Sequence, residues 1–393
     1  MNYLGNKSLY RLLESIDEYD YVAFVITPWH VHAFSAALKN IEDAENRTLR
    51  GIVIIKPHEA NGWLISERYF INNKHCISIY RYHDDESLTD RLKSEINGLL
   101  YYIGLRERKK PHFYFFKPNG FRYPILATLQ KACGKNKLVY AVSIDEGVGT
   151  YTTFNNETLS ASLKESIMST ASFKDKLFSF LKMFEISIFR EKRLKEKGYY
   201  IDCNLLKIRN DGVCVPNGKM PKYFKNAIEN FSKGYVYSLK LDRDYVLINT
   251  QPLEEYSYSG EDIQFNILKE CIPIFKEAGY FVVLKPHPRE IDTEKYNHLN
   301  IQILEHNNIS QECLLCKIKK PKYIVSCCST TLVSAYLFWG IKAISLAKLF
   351  MKNDNVSKYY ESVLHKFEIA FQEMLFFPED YNEVKKILNY SHK

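Results

Sequence analysis

Short apolar runs rich in β-branched and aromatic residues alternate along the chain with longer stretches of helical spacing. The first series of runs predicts strands at 21–26, 51–55, 76–80, 112–116 and 137–144. A second series predicts strands at 245–249, 280–284, 302–304, 323–326 and 342–346. This alternation is typical of βα units built around a parallel sheet. The pattern therefore predicts two α/β halves, each Rossmann-like.

Chain length supports the same division. A chain of 393 residues is too long for one ordinary domain and fits two domains that each bury a core. No proline-rich or serine-rich linker separates the two series of runs. We predict an N-terminal domain over 1–237 and a C-terminal domain over 238–393.

The stretch 160–198 has apolar residues at helical spacing and carries nine Lys or Arg residues against five Asp or Glu residues. Two interpretations fit this pattern. A basic amphipathic helix can rest on an anionic membrane surface, and an amphipathic helix can equally pack on its own domain.

The net charge of +8 suggests an anionic substrate or an anionic membrane surface, and it does not require a nucleic acid partner. The nine cysteines are odd in number, and no secretory signal or apolar stretch of about 20 residues occurs. These features predict reduced cysteines in a cytoplasmic protein, either soluble or peripheral on the inner face of the membrane.

The strongest motif is the segment YFVVLKPHPRE at 280–290, in which an apolar strand ends at two prolines around His287. Proline ends strand pairing, so the imidazole is expected on a stiff loop at the carboxyl end of the strand. Open α/β sheets bind ligands at that edge. With Lys285 and Arg289 adjacent, His287 suits a phosphate that gains charge as it leaves. Lys285 and Pro288 are candidate substrate contacts.

A second motif, Ser-Cys-Cys-Ser-Thr-Thr at 326–331, follows the next long strand and opens a helical stretch. Ser329 and Thr330 would lie at a helix N-terminus, where backbone N–H groups and the helix dipole favour a phosphate. The alternative is a plain helix cap.

A third motif places Asp145, Glu146 and Gly147 at the end of a strand in the first half. One carboxylate could act as a general base, and glycine permits a tight turn. A solvated β-turn is the alternative interpretation. Thr27 and His30 follow the first strand of the first half, and Gln251 follows the first strand of the second half; all three are candidate substrate contacts, with core packing as the alternative for His30.

Other chemistries are not favoured by the sequence. Cys313 and Cys316 resemble half of a zinc site, but no second pair at ligand spacing follows them. The motifs of P-loop NTPases, α/β-hydrolases and zincins do not occur. These absences favour a transferase, and no metal site is predicted at the cysteine pair.

The order and spacing of the three motifs resemble the bacterial sialyltransferases, namely the family 52 glycosyltransferases and the related α-2,8-polysialyltransferases. The resemblance implies the GT-B architecture, with two Rossmann-like domains facing a central cleft. It also implies CMP-N-acetylneuraminic acid as donor, inversion at the anomeric carbon without a metal or cofactor, and a glycan acceptor of lipooligosaccharide or capsule.

Carried over to this chain, the resemblance makes His287 the acid or hydrogen-bond donor at the CMP phosphate. Ser329 and Thr330 would hold that phosphate, and Asp145 or Glu146 would be the base. Family 52 members also suggest a base in the second half, for which Asp262 is the candidate. The turn here is Cys-Cys-Ser-Thr, where the family has paired serines.

Two other functions stay open from the sequence. A related GT-B transferase could use a glucosyl, Kdo or glycerol-phosphate donor, since His-Pro and Ser/Thr phosphate loops recur there. A noncatalytic protein that binds a glycan or nucleotide is the other alternative. A homodimer and peripheral contact with an anionic membrane are further expectations.

Overall fold

The structure is a computed structural model, and the parts of the chain that it describes are 2–4, 17–55, 76–82, 112–118, 138–152, 195–206, 214–235, 237, 241–252, 262–288, 290, 292–304, 309–353, 356 and 358–389.

A seven-stranded parallel sheet forms the first half. Its strands are β1 (Asn2–Leu4), β2 (Tyr21–Val25), β3 (Gly51–Ile55), β4 (Cys76–Tyr82), β5 (His112–Pro118), β6 (Leu138–Ile144) and β7 (Lys195–Tyr199). They lie in the order β1-β4-β3-β2-β5-β6-β7. Strands β2 and β3 are buried along their whole length, as expected for a parallel sheet covered on both faces.

The helices described in this half are α1 (Pro28–Glu45), α2 (Val148–Thr152) and α3 (Met220–Ser232), with a short 3-10 turn at Cys203–Leu205. Helix α1 starts after Thr27, with Pro28 in its first turn, and ends at Asn46 in the left-handed region with φ of 49°. Proline is favourable in the first turn because its fixed φ suits a helix and its missing N–H would have no partner there. Asn is favourable at the end because it tolerates the left-handed conformation.

A five-stranded parallel sheet forms the second half. Its strands are β8 (Tyr245–Asn249), β9 (Phe281–Lys285), β10 (Gln302–Ile303), β11 (Tyr323–Ser326) and β12 (Lys342–Ser345). The order is β10-β9-β8-β11-β12, so the winding direction reverses between β8 and β11. A reversal of this kind opens a crevice at the carboxyl ends of the strands, where such sheets bind ligands.

The helices described in the second half are α4 (Ile263–Glu277), α5 (Gln311–Leu315), α6 (Thr330–Trp339), α7 (Ala347–Met351), α8 (Lys358–Phe371) and α9 (Tyr381–Asn389), with a 3-10 helix at Glu294–Leu299. Helix α8 also reaches the first half, where the ring of Phe371 lies edge-on to that of Tyr151 at 5.7 Å.

All ten predicted strands occur, with ends that differ by at most two residues. The prediction of two Rossmann-like halves in a GT-B arrangement is confirmed. Two strands were not predicted, β1 and β7. Strand β7 falls in the stretch 160–198, so the helical prediction is wrong at 195–198, and its remainder lies outside the described residues. The sequence KEKGY lacks an apolar run, and β7 is the edge strand of the sheet, paired with β6 and bridged to Cys214 at Gly198.

Helix α3 connects the halves. Phe224 on α3 lies between Trp29 of α1, at a ring distance of 5.5 Å, and Phe338 of α6, at 6.3 Å. Tyr223 donates a hydrogen bond to Asp43 of α1 at 2.6 Å. The chain passes from the first sheet to the second between β7 and β8, and the boundary at 237/238 stays a prediction within that interval.

The structure differs from the expectation that all cysteines are reduced. Cys203 and Cys214 form a disulfide, with their Cα atoms 6.1 Å apart. Backbone pairing brings the two together, because Val215 donates to the carbonyl of Gly198 at the end of β7. Within the described parts of the chain, no helix has the length and apolar character needed to cross a bilayer.

Candidate active site

The carboxyl edges of the two sheets meet at the predicted motifs. The loop after β6 carries the acidic pair, and the turn after β11 carries Ser329 and Thr330. The backbone N–H of Val148 donates to Thr330 Oγ1 at 3.0 Å. Gly147 has φ of +84°, and a Cβ atom added there would collide with the Thr330 side chain. Only glycine permits this close approach, so the two motifs share one cleft.

Asp145 is fully buried, and hydrogen-bond donors surround its carboxylate. Its Oδ1 accepts from Trp29 Nε1 at 3.0 Å and from the N–H of Gly147 at 2.5 Å. Its Oδ2 accepts from the Tyr151 hydroxyl and from the N–H of Ile201 at 3.2 Å. Burial raises the pKa of Asp145, and these donors oppose the rise. With two donors on each oxygen, Asp145 is placed to hold the loop and not to meet an acceptor hydroxyl.

Glu146 is the more accessible member of the acidic pair. Its side chain is partly exposed, and its backbone N–H donates to Thr150 Oγ1 at 2.7 Å, which fixes the start of α2. A general base must come within hydrogen-bond reach of the proton it removes. The geometry therefore favours Glu146 over Asp145 as the candidate base.

Thr27 and His30 cap helix α1 in the structure. The Thr27 hydroxyl accepts from the N–H of His30, and His30 Nδ1 accepts from the N–H groups of Ile26 and Thr27, each at 3.3 Å. Burial lowers the pKa of His30 to about 3, which keeps its ring neutral. The predicted substrate contacts of both residues are not favoured, because the polar atoms involved form a capping box.

His287 lies on the loop after β9, as predicted, with a partly exposed side chain. Its backbone N–H lies 2.9 Å from Thr250 Oγ1 and 3.0 Å from Glu290 Oε2. The N–H of Glu290 returns a bond to the carbonyl of His287 at 2.9 Å, and Pro288 stands in that turn. Backbone hydrogen bonds thus fix the loop. The imidazole of His287 is the group of this loop that could act on a ligand at the sheet edge.

Lys285 differs from its predicted role as a phosphate contact. The residue is 8% exposed, and burial lowers the pKa of its ammonium group to about 8. Buried Glu312 opposes that shift, and the pKa of Glu312 is itself raised by burial. The charges of these two buried side chains therefore influence each other. Burial of Lys285 beside Glu312 does not favour its predicted contact with a phosphate in the cleft.

The Cys-Cys-Ser-Thr turn opens α6, as the motif predicts. Ser329 is the N-cap residue, and its hydroxyl accepts from the N–H of Thr331 at 3.3 Å. Ser329 and Thr330 are both partly exposed. The hydroxyl groups and the N-terminus of a ten-residue helix together make this turn suited to a phosphate.

Gln251 was predicted to contact the nucleotide, but its amide is engaged elsewhere. Its Oε1 accepts from the N–H of Cys328 at 3.0 Å, and its Nε2 donates to the carbonyl of the same residue. These two hydrogen bonds between the Gln251 side chain and the Cys328 backbone hold the turn that contains Ser329. Gln251 is accordingly a support of the phosphate turn.

Asp262 is occupied as a helix cap. Its Oδ1 accepts from the N–H of Phe265 at 2.9 Å, and Lys295 Nζ lies 2.5 Å from its Oδ2. An ion pair and a cap together leave Asp262 poorly placed to take a proton from an acceptor, so the second-half base is not favoured.

Several contacts of the site were not predicted from the sequence. Trp29 and Tyr151 hold Asp145, while Gln264 and Tyr296 contact Glu290. The sequence signal that could have revealed Glu290 is an acidic residue three positions after His287, within the same loop.

The chain matches the family model of the α-2,8-polysialyltransferases over residues 21–348. It belongs to the α-2,8-polysialyltransferase family. Membership makes it a glycosyltransferase of the sialyltransferase type, which acts on a nucleotide-sugar donor and a glycan acceptor. The matched region contains the acidic pair, His287 and the Ser329 turn. No curated protein matches the chain.

Solved structures similar to this family member include an α/β-galactoside α-2,3-sialyltransferase from Photobacterium phosphoreum, with 12% identity and a TM-score of 0.44 over 91% of this chain and 98% of that one. A UDP-GlcNAc 2-epimerase from Neisseria meningitidis, bound to UDP-GlcNAc, shows 10% identity and a TM-score of 0.45 over 95% and 99%. MurG from Acinetobacter baumannii shows 10% identity and a TM-score of 0.42 over 95% and 91%.

Proposed function

We propose that this polysialyltransferase family member transfers sialic acid from CMP-N-acetylneuraminic acid to a glycan acceptor of lipooligosaccharide or capsule, with inversion and without a metal. The observation that carries the proposal is the contact between Val148 and Thr330. It joins an acidic loop of one half to a phosphate-type turn of the other, one βα unit after His287. A base and a leaving-group site on opposite walls of one cleft suit an inverting displacement.

In the proposed reaction, Glu146 takes the proton of the acceptor hydroxyl, and the acceptor oxygen bonds to the anomeric carbon. The bond from that carbon to the CMP phosphate oxygen breaks, and its electron pair leaves with CMP. His287 donates a hydrogen bond or proton to the phosphate as its charge grows. Ser329, Thr330 and the N-terminus of α6 stabilise the same charge.

A donor panel tests the proposal. The purified protein is incubated with CMP-sialic acid, UDP-glucose, CMP-Kdo or CDP-glycerol and a sialylated acceptor, and products are identified by mass spectrometry. We expect transfer from CMP-sialic acid alone. His287→Ala should lower kcat by about 10²-fold to 10⁴-fold, the range for one general acid, with an unchanged melting temperature. Transfer from another donor, or near-normal turnover by the variant, would contradict the assignment.

Contact with an anionic membrane and homodimer formation belong to the same proposal. The sequence support for membrane contact is the basic stretch 160–198, most of which lies outside the described residues. Flotation with phosphatidylglycerol vesicles should recover the full chain and lose it after neutralisation of the basic residues in that stretch. Recovery independent of those residues would remove the membrane part of the proposal.

A further inference from the structure

Gln264, in the first turn of α4, is 5% exposed, and both polar atoms of its side chain are hydrogen-bonded. Its Oε1 accepts from the N–H of Gln251, and its Nε2 donates to the carbonyl of Gln251, each at 2.9 Å. The same Nε2 lies 3.2 Å from Glu290 Oε1 and 3.0 Å from the Tyr296 hydroxyl oxygen. One amide therefore contacts two separate parts of the site.

The contact with Glu290 leads to His287. Glu290 Oε2 accepts from the N–H of His287 at 3.0 Å and from the hydroxyl of Thr250. The Tyr296 hydroxyl donates to Glu290 Oε1 at 2.6 Å. Because Glu290 is 7% exposed, few rearrangements are open to it. Moving its carboxylate would move the backbone of His287.

The contact with Gln251 leads to the phosphate turn. The backbone of Gln251 is fixed by Gln264, and its side-chain amide holds both backbone groups of Cys328. Cys328 immediately precedes Ser329, the N-cap of α6. A displacement of Gln251 would consequently shift the N-terminus of α6.

We propose that Gln264 is a positioning residue that sets the distance between His287 and the Ser329–Thr330 turn, so that both reach one phosphate group. The role of that phosphate rests on the proposed function, whereas the mechanical link does not. A primary amide suits the position because it supplies one acceptor and two donors in a plane. A carboxylate lacks the donors, and an apolar side chain lacks both.

Steady-state kinetics with CMP-N-acetylneuraminic acid test the two arms of the link. Gln264→Leu should lower kcat by about 10²-fold, the cost of a misplacement near 1 Å, and should also raise the KM for donor. Glu290→Gln should act mainly on kcat, through His287, and Gln251→Leu mainly on donor KM, through the turn. Gln372→Leu is the matched control, since Gln372 is exposed, and it should keep wild-type kinetics.

A reciprocal exchange separates positioning from general damage. Gln264→Glu places a carboxylate against Glu290, while the double variant Gln264→Glu/Glu290→Gln restores that bond with donor and acceptor exchanged. Double-mutant cycles of contacting residues reveal such coupling. We expect the double variant to be at least about 10-fold more active than Gln264→Glu, since it removes the carboxylate pair. A double variant no better than the product of the two single losses would overturn the proposal.

Amide hydrogen exchange on the full-length protein needs no substrate. Gln264→Leu should accelerate exchange at both His287 and Cys328 and leave the amides of β8 protected. A change at one loop alone, or at neither, would overturn the link. If both loops respond while the wild-type protein does not use CMP-sialic acid, the link stands and the proposed donor fails. Should Gln264→Leu not fold, the volume-conserving exchange variants give the same comparison.

Discussion

Exchanging Asp145 for Asn and Glu146 for Gln separately tests which acid supports the loop and which removes the proton. In Asp145→Asn, one amide NH₂ replaces an oxygen that accepts two bonds. If it replaces Oδ2, it faces the Tyr151 hydroxyl and the N–H of Ile201. The Ile201 N–H keeps a second acceptor, the Tyr151 hydroxyl oxygen at 3.1 Å. The cost is therefore about that of one buried donor left without an acceptor, roughly 1–3 kcal/mol.

A loss of that size is measurable. For a domain of about 150–250 residues, 1 kcal/mol shifts the melting temperature by about 2–4 °C, so Asp145→Asn should lower it by roughly 2–12 °C. Glu146→Gln should leave the melting temperature within about 1 °C, because partly exposed sites tolerate such changes. Its kcat should nevertheless fall about 10²-fold to 10⁴-fold, as for loss of a general base.

The assay pairs differential scanning fluorimetry with initial rates of sialyl transfer, measured well below the melting temperature of each variant. An Asp145→Asn protein with a wild-type melting temperature and no activity, beside a fully active Glu146→Gln protein, would refute the reasoning. That outcome would make buried Asp145 the base and would require the loop to open during turnover.

Three further predictions concern Gly147, His32 and the requirement for a metal. Gly147→Ala should lower stability, measured by fluorimetry, by about 1–2 kcal/mol, because a side chain is strained at positive φ. It should also raise the KM for donor, because the added Cβ pushes Thr330 away, and a wild-type KM would contradict the shared cleft. Burial lowers the pKa of His32 to about 3, so the folded state resists protonation and stability falls below pH 6.5, by roughly 2 kcal/mol at pH 5. Because the pKa of buried His30 is lowered equally, His32→Gln should remove about half of the loss in denaturant-derived stability that these two residues cause between pH 7.5 and 5. An unchanged slope would argue against the burial of His32. Activity should persist in 10 mM EDTA after dialysis, whereas loss restored by Mg²⁺ would contradict the metal-independent proposal.

The main features of the fold could be predicted from the sequence. The ten predicted strands are local apolar runs, and each lies in a parallel sheet whose burial demands such runs. The position of His287 was also predictable, because the prolines around it end β9 within the segment itself. Strand β7 was missed for the complementary reason, since this edge strand has three charged residues in KEKGY and no apolar pattern.

The roles of the polar residues could not be predicted in the same way. Asp145 and Glu146 are neighbours with similar side chains, and their difference comes from Trp29 and Ile201, which are 116 and 56 residues away. The sequence predicts Gln251 as a ligand contact, whereas its amide binds the backbone of Cys328, 77 residues along the chain.

Local patterns thus determined the strands, the two halves and the loops that carry chemistry, because backbone propensity and hydrophobic period are short-range properties. Tertiary structure decided which polar atoms remain accessible to a substrate. A hydrogen bond is made or lost over a few tenths of an ångström, and only packing brings residues such as Gln264, Glu290 and Gln251 to that distance.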